Sequence, residues 1–281
     1  MYLWIAVKAL LIMKSDCSDQ RLQSIELQAS SPILFISDLH LSEALPNTCL
    51  AFYQFIDQIA VNAQALFILG DLFEYWIGDD CLNDTNSAAY AITQSLAQLK
   101  KRSVRLFILP GNRDFLLGQR FAQQAHAQLL DDICLLSAWG RHIVLAHGDN
   151  LCIDDYRYQR YRYWVHQPWL QNIFLMMPLV WRQKIAQRLR QSSQHQYDMA
   201  SSLAPYQDVN SQFAQRILQQ YQTDVLIHGH THQAKCHTLT QGIRWVLSDW
   251  DWDHAQRANY LRLDYSGLRA IKFPQIESRM V

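Results

Sequence analysis

The chain has 281 residues, 49% of them hydrophobic, enough for one large α/β domain or two small ones around a sizeable core. Its 25 Lys and Arg balance 25 Asp and Glu, for a formal net charge of zero, so whole-chain charge points to neither a nucleic-acid nor a membrane partner, and only a local patch can. The 6 cysteines (Cys17, Cys49, Cys81, Cys134, Cys152, Cys236) are scattered without a C-x-x-C pair, which argues against a disulfide framework or zinc knuckle and for reduced, cytoplasmic thiols.

The first segment, "MYLWIAVKALLIM", is apolar from Met1 to Met13 but broken by Lys8. It is shorter than the ~20 residues of a spanning helix and lacks the basic flank and cleavage site of a secretory signal. An interfacial anchor and an extension upstream of a start at Met13 both remain open. With the polar connector that follows, residues 1–31 are expected outside the fold, and residues 32–281 form the domain.

From Ile33 onward one pattern recurs. "ILFIS" ends in Asp38-Leu39-His40, "ALFIL" in Gly70-Asp71, and "RLFIL" in Pro110-Gly111-Asn112-Arg113-Asp114. "HIVLA" ends in His147-Gly148-Asp149, "DVLI" in His228-Gly229-His230-Thr231-His232, and "RWVL" in Ser248-Asp249-Trp250. Such short runs suit strands buried on both faces. Helical patterns lie between them, in "CLAFYQFIDQIA", "AAYAITQSLAQLKKR" and "NSQFAQRILQQY". Strand, polar motif and helix in repetition predict an α/β layered fold, with the motifs at the carboxyl ends of the strands, where such sheets bind ligands. The interval from His147 to His228 is too long for one connection, so residues from about 154 to 205 are predicted to form a helical insertion.

The strand-end groups are Asp38, His40, Asp71, Asn112, His147, His228 and His230. Carboxylates, imidazoles and an amide suit Mn, Fe or Zn rather than Ca. Residues i and i+2 of an extended segment point the same way, so Asp38 with His40, and His228 with His230, can converge. A single strand-end Asp is more often a helix N-cap, but several matched strand ends argue together for metal. So many ligands suit two ions sharing a carboxylate, an arrangement that stabilises both oxygens of an in-line phosphoryl displacement and acidifies water.

These blocks, in this order over about residues 33–255, resemble the calcineurin-like metallophosphoesterase family. The resemblance implies a sandwich of layered β-sheets flanked by helices, here with a helical insertion cap. It implies that Asp38, His40 and His230 take one metal and Asn112, His147 and His228 the other, with Asp71 bridging. Many members carry Asn-His in the third block, where the His protonates the leaving group; here it is Asn112-Arg113. Arg cannot act as an acid at neutral pH but grips phosphate oxygens, so the leaving group should already be a stable anion. That disfavours a protein phosphatase.

"SDLHL", "ILGDLFEYWIGDD", "GNRDFLLGQRFA", "AHGDNLCIDD", "HQPWLQNIFLMMPL" and "LIHGHTHQA" are similar to one branch, the UDP-2,3-diacylglucosamine pyrophosphatases of lipid A synthesis. That branch implies two Mn²⁺ per chain, with Fe or Zn as substitutes. It implies hydrolysis to UMP and 2,3-diacylglucosamine 1-phosphate by water attack at the phosphorus nearer uridine. Peripheral location on the cytoplasmic face of the inner membrane is implied as well. Asn112, Arg113, Asp155, Ser193 and His228 fall on substrate-binding positions, and Asp71, Asn112, Arg113 and His228 on catalytic ones. Asp114 and Asp149 are expected to orient the ligands. Tyr197 and Ala200 depart from the branch, which has Asn and Lys there, and one extra residue precedes Asp208.

From Tyr156 to Tyr197 the insertion carries Arg157, Arg160, Arg162, Arg182, Lys184, Arg188 and Arg190 but neither Asp nor Glu. Between these basic clusters lies "PWLQNIFLMMPLVW". A basic, aromatic-rich helical segment suits an anionic bilayer surface or a slot for acyl chains; the bland alternative is a stripe packed on the main domain. No nucleic acid and no obligate protein partner are expected. The rival readings are another two-metal phosphodiesterase or nuclease with a soluble substrate, and a non-catalytic scaffold.

Overall fold

The structure is a computed structural model that describes residues 22–28, 30–201 and 208–273, without the side chains of 191–201. In chain order it runs β1 (Gln23–Leu27), β2 (Ile33–Ile36), α1 (Pro46–Gln58), β3 (Ala65–Leu69), α2 (Ala88–Ala97), β4 (Arg105–Leu109), α3 (Gln119–Ala125) and β5 (Ala127–Leu129). Then come β6 (Ile133–Ala138), β7 (Arg141–Ala146), α4 (Tyr156–Val165), α5 (Pro168–Met176), α6 (Leu179–Ser201) and α7 (Ser211–Gln220). The chain ends with β8 (Val225–His228), β9 (Lys235–Thr238), β10 (Ile243–Val246), β11 (Asn259–Asp264) and β12 (Gly267–Lys272).

The strands form two mixed six-stranded sheets, in the orders β1-β6-β7-β8-β10-β9 and β12-β11-β2-β3-β4-β5. Alternation along each buried strand assigns its two faces. Ile33, Phe35, Phe67, Leu69, Phe107 and Leu109 meet Leu136, Ile143, Leu145, Val225 and Ile227 of the other sheet. Leu34, Ile36, Leu66, Ile68 and Ile108 turn the other way onto Phe52 and Phe55 of α1, Ile92 of α2 and Phe121 of α3. Val144, Ala146 and Leu226 cover themselves with Ala214, Ile217 and Leu218 of α7. Two sheets face to face between layers of helices result. In-register pairing also stacks Phe35 on Phe67 and Phe67 on Phe107, with ring centroids 5.3 and 4.6 Å apart, cross-strand contacts that stiffen the centre of this sheet.

One expected boundary is corrected. Gln23–Leu27, placed above among residues 1–31 outside the fold, is a strand paired in parallel with β6. Ile25 and Leu27 are buried in the core between the sheets. Two apolar residues among polar ones make a weak signal, and pairing with β6 supplies the rest. Residues 1–21 lie outside the described part.

Residues of the predicted insertion fold as α4, α5 and α6. Neither α4 nor α5 buries a residue. Met176 is 84% exposed and Trp181 63%, with Trp169, Ile173 and Val180 also exposed. Much of the apolar stripe is therefore left uncovered, although Leu175 lies against Gly78 of the main domain. Arginines anchor the cap instead. Arg182, 2% exposed, donates to the Met177 carbonyl (2.9 Å) and the Ile77 carbonyl and pairs with Asp80. Among the described residues, no helix is long and apolar enough to cross a membrane.

Candidate metal centre

Apolar strands deliver the polar motifs to one place. The blocks after β2 and β3 continue side by side past the sheet. Asp38 N–H donates to the Gly70 carbonyl (3.1 Å), and the Leu39 and His40 amides to the Asp71 carbonyl (2.9 and 3.0 Å). In the other sheet, past β7 and β8, Gly229 N–H donates to the His147 carbonyl (2.7 Å), and His230 N–H crosses between the sheets to Asp38 Oδ2 (2.9 Å).

The backbone is strained where it meets the site. Asp38, His40, Asp71, His230 and His232 hold φ values of 55°, 49°, 52°, 66° and 54°, a left-handed region costing a non-glycine residue roughly 1–2 kcal/mol. Strain at this density marks functional sites. Two glycines let the ligands approach one another. At Gly70 (φ 90°) a Cβ would fall 2.3 Å from His147 Nδ1, and at Gly229 one would fall 2.2 Å from Asp38 Oδ2.

Asp71 sits in the middle. Its Oδ2 is 3.6 Å from His147 Nε2 and 4.0 Å from His40 Nε2, and its Oδ1 accepts from Arg113 N–H (2.8 Å). Asn112 Oδ1 lies 3.0 Å from both His147 Nε2 and His230 Nδ1. His147 Nδ1 donates to the Leu69 carbonyl (2.9 Å), so a neutral His147 turns its Nε2 lone pair on two oxygens. A proton or a cation has to sit between them.

The electrostatics agree. Burial raises the Asp71 carboxyl to about 7. Burial opposes charge on His147 too, but the carboxylates of Asp71, Asp38 and Asp149 outweigh it and lift the imidazole to about 9. Protons are thus held where positive charge is wanted. Burial depresses His228 to about 4 and His230, also repelled by His147, to about 3, so both are neutral donors at neutral pH. His228 Nδ1 donates to the Gly229 carbonyl (2.8 Å), and its Nε2 is buried without a partner. Such an orphaned atom is costly unless something binds it. The donor set of carboxylate, imidazole and amide fits a divalent cation.

Among the described residues, His, Cys, Asp and Glu ligand atoms within 4.8 Å of one another form two sets, Asp38 with His40 and His232, and Asp38 with Asp71 and His147. His230, expected beside Asp38 and His40, faces Asn112 and stacks edge-on to His147, with ring centroids 5.1 Å apart. His232 joins the same group, with Nε2 3.4 Å from Asp38 Oδ1 and 3.4 Å from His40 Nε2. The third His of "HGHTH" was the available signal.

Supporting groups are in place. Asp114 accepts from the amides of Gly111 (2.7 Å), Leu72 (2.7 Å) and Phe73 (3.3 Å), which ties the Asn112 turn to Asp71. Asp149 accepts from Tyr158 Oη (2.6 Å) and Arg162 Nε (2.8 Å) of α4. The Tyr158 ring lies 6.0 Å from that of His230. The role of Tyr158 is not legible in the sequence, because it depends on how the cap docks. Arg113 is half buried and its charge favours the Asp71 carboxylate. Asp155 caps α4, accepting from Tyr158 N–H at 2.9 Å. The side chains of Ser193, Tyr197 and Ala200 lie outside the described part.

Comparison with known proteins now adds to the geometry. The calcineurin-like phosphoesterase family model matches residues 31–234. A UDP-2,3-diacylglucosamine hydrolase of Ralstonia nicotianae is 42% identical over 91% of this chain and 98% of its own. A protein of the same name from Haemophilus ducreyi is 44% identical over 83% of this chain and 96% of its own. One from Neisseria meningitidis serogroup A is 40% identical over 84% and 95%. The chain is therefore a hydrolase with a divalent-metal site that belongs to the calcineurin-like phosphoesterase family and, within it, to the UDP-2,3-diacylglucosamine hydrolases.

Proposed function

We propose that the chain hydrolyses the diphosphate of UDP-2,3-diacylglucosamine to UMP and 2,3-diacylglucosamine 1-phosphate, a step of lipid A synthesis, with two Mn²⁺. The observation that carries the reaction class is Asp71, buried between His40 and His147. Relatives matched along nearly their whole length support the substrate.

Asp38, His40 and His230 would hold one cation, Asn112, His147 and His228 the other, and Asp71 would be shared, with His232 adjoining. Bound there, the cations supply Lewis-acid stabilisation of phosphoryl oxygens and acidify water. Arg113 binds and neutralises phosphate oxygens, and needs to donate no proton, because the leaving group is a phosphate monoester that departs as a stable anion. Asp114 and Asp149 hold the ligand-bearing turns still through their hydrogen bonds.

The cap suits the lipid end of this substrate. Its exposed Trp169, Ile173, Met176, Val180 and Trp181 lie among exposed Arg157, Arg160, Lys184 and Arg188, a combination fit for acyl chains and an anionic surface. It supports peripheral binding to the cytoplasmic face of the inner membrane. Co-sedimentation should then be stronger with phosphatidylglycerol-containing vesicles than with zwitterionic ones; equal binding removes this part.

Turnover of the lipid nucleotide in H₂¹⁸O, with Mn²⁺ or chelator, tests the whole reading. Metal-dependent release of ¹⁸O-labelled UMP is expected. Label in the lipid phosphate contradicts attack next to uridine, and metal-loaded protein without turnover contradicts the substrate.

A further inference from the structure

The acidic residue in "FEYW" has no part in the reading above. Glu74 lies in the loop after β3, and its carboxylate is shared between two partners. Its Oε2 is 3.5 Å from His40 Nδ1. Its Oε1 is in direct contact with Arg190 Nε on α6. His40 Nδ1 is buried and has no hydrogen-bond partner, while its Nε2 faces Asp71 and His232. An imidazole that gives one nitrogen to a cation needs its other N–H held, because that hydrogen bond fixes both tautomer and ring orientation. Glu74 is the carboxylate placed to accept it.

We propose that Glu74 is the positioning residue for His40, and that Arg190 makes this positioning depend on the cap. Arg190 sits eight residues beyond Arg182, the buried anchor of the same helix. It can hold Glu74 only while that helix is docked. Cap placement and ligand orientation are then one event: when α6 is seated, Glu74 is turned to His40. When α6 shifts, Glu74 is released and His40 loses its orientation. Coupling through a chain of paired side chains needs no other movement of the strand ends.

The inference rests on the metal reading above, but its test reads metal binding and needs no substrate. Mn²⁺ affinity is measured by equilibrium dialysis on metal-stripped full-length chain, with circular dichroism as a check on folding. Loss of an outer partner of a ligating His weakens binding roughly 10–100-fold, so that is expected for Glu74→Ala. Glu74→Gln keeps an acceptor for the His40 N–H and should stay within about threefold of the wild type. Arg190→Met should bind metal more weakly than Arg188→Met, the same change at an exposed site on the same helix. Glu74→Ala within twofold of the wild type overturns the positioning role, and so does Glu74→Gln falling as far as Glu74→Ala, which would show charge alone at work. Equal affinities for the two Arg variants overturn the dependence on the cap. Hydrolysis of the lipid nucleotide by the wild type is untouched by any of these outcomes.

Discussion

The strand-end centre and the cap solve opposite problems with opposite physics. The centre stands on strands buried on both faces, locked by the Phe35–Phe67–Phe107 stack and by amides running from motif to motif. Rigid elements hold catalytic geometry better than loops do. The cap has almost no buried apolar contact and is tied down by Arg162, Arg182 and Arg190. Its large apolar side chains stay exposed, Met176 among them, a flexible side chain that adapts to an apolar ligand. Chemistry that tolerates no displacement is built into the sandwich, and the proposed lipid recognition, which must tolerate variety, falls to the cap.

Changes in the centre should therefore remove turnover, and changes in the cap should weaken binding. Asp71→Ala carries the largest expected effect, a loss of about 10³-fold or more in kcat, the size seen for removal of a transition-state stabilising group, with an unchanged circular-dichroism spectrum. Most of the activity surviving would deny Asp71 its shared place. Gly229→Ala comes next, because the new Cβ would fall 2.2 Å from Asp38 Oδ2. Displacing a reacting group by ~1 Å costs about 10²-fold, and a kcat measurement shows whether the Gly229 spacing matters that much.

A pH experiment sharpens the same half of the comparison. Burial lowers His228 from 6.5 to about 4 in the folded chain. Its contribution to stability is fully present above the unfolded value and is lost as pH falls from 6.5 toward 4, by roughly 3 kcal/mol at 1.36 kcal/mol per pH unit. Urea titrations of metal-stripped wild type and His228→Asn should show the wild type losing more stability over that window. Parallel losses would mean that His228 is not buried neutral. On the cap side the effect should be smaller. Arg182→Met removes the clamp on Asp80 and the donor to Ile77, and should raise KM about tenfold, or 1.4 kcal/mol, with a kcat loss, passed through Arg190 and Glu74, well below that of Gly229→Ala. A kcat loss as large as that of Gly229→Ala would erase the distinction between the two regions.

Legibility in the sequence follows the same division. The strands β2, β3, β4, β7, β8 and β10 could be read because double-faced burial leaves continuous apolar runs. The strands β1, β5, β6, β9, β11 and β12 were missed. These lie at or beside sheet edges, and their runs are short or diluted, as in the largely exposed "KCHT" of β9. The ligand residues were legible because carboxylates and imidazoles closing apolar strands have no structural need to recur. The place of His232 was not legible, because only the folded chain brings it to 3.4 Å from Asp38 Oδ1. Glu74, Tyr158 and the clamping role of Arg182 were hidden, since each acts only once α4 and α6 dock on a distant part of the chain.

The most direct test is a titration of metal-stripped chain with Mn²⁺ while bound ions are counted and UMP release from UDP-2,3-diacylglucosamine is followed. Two ions per chain, and turnover that is absent without metal and returns as the second binds, is the predicted result. UMP release that persists in metal-free protein, or full turnover with one ion bound, would contradict the shared-carboxylate centre.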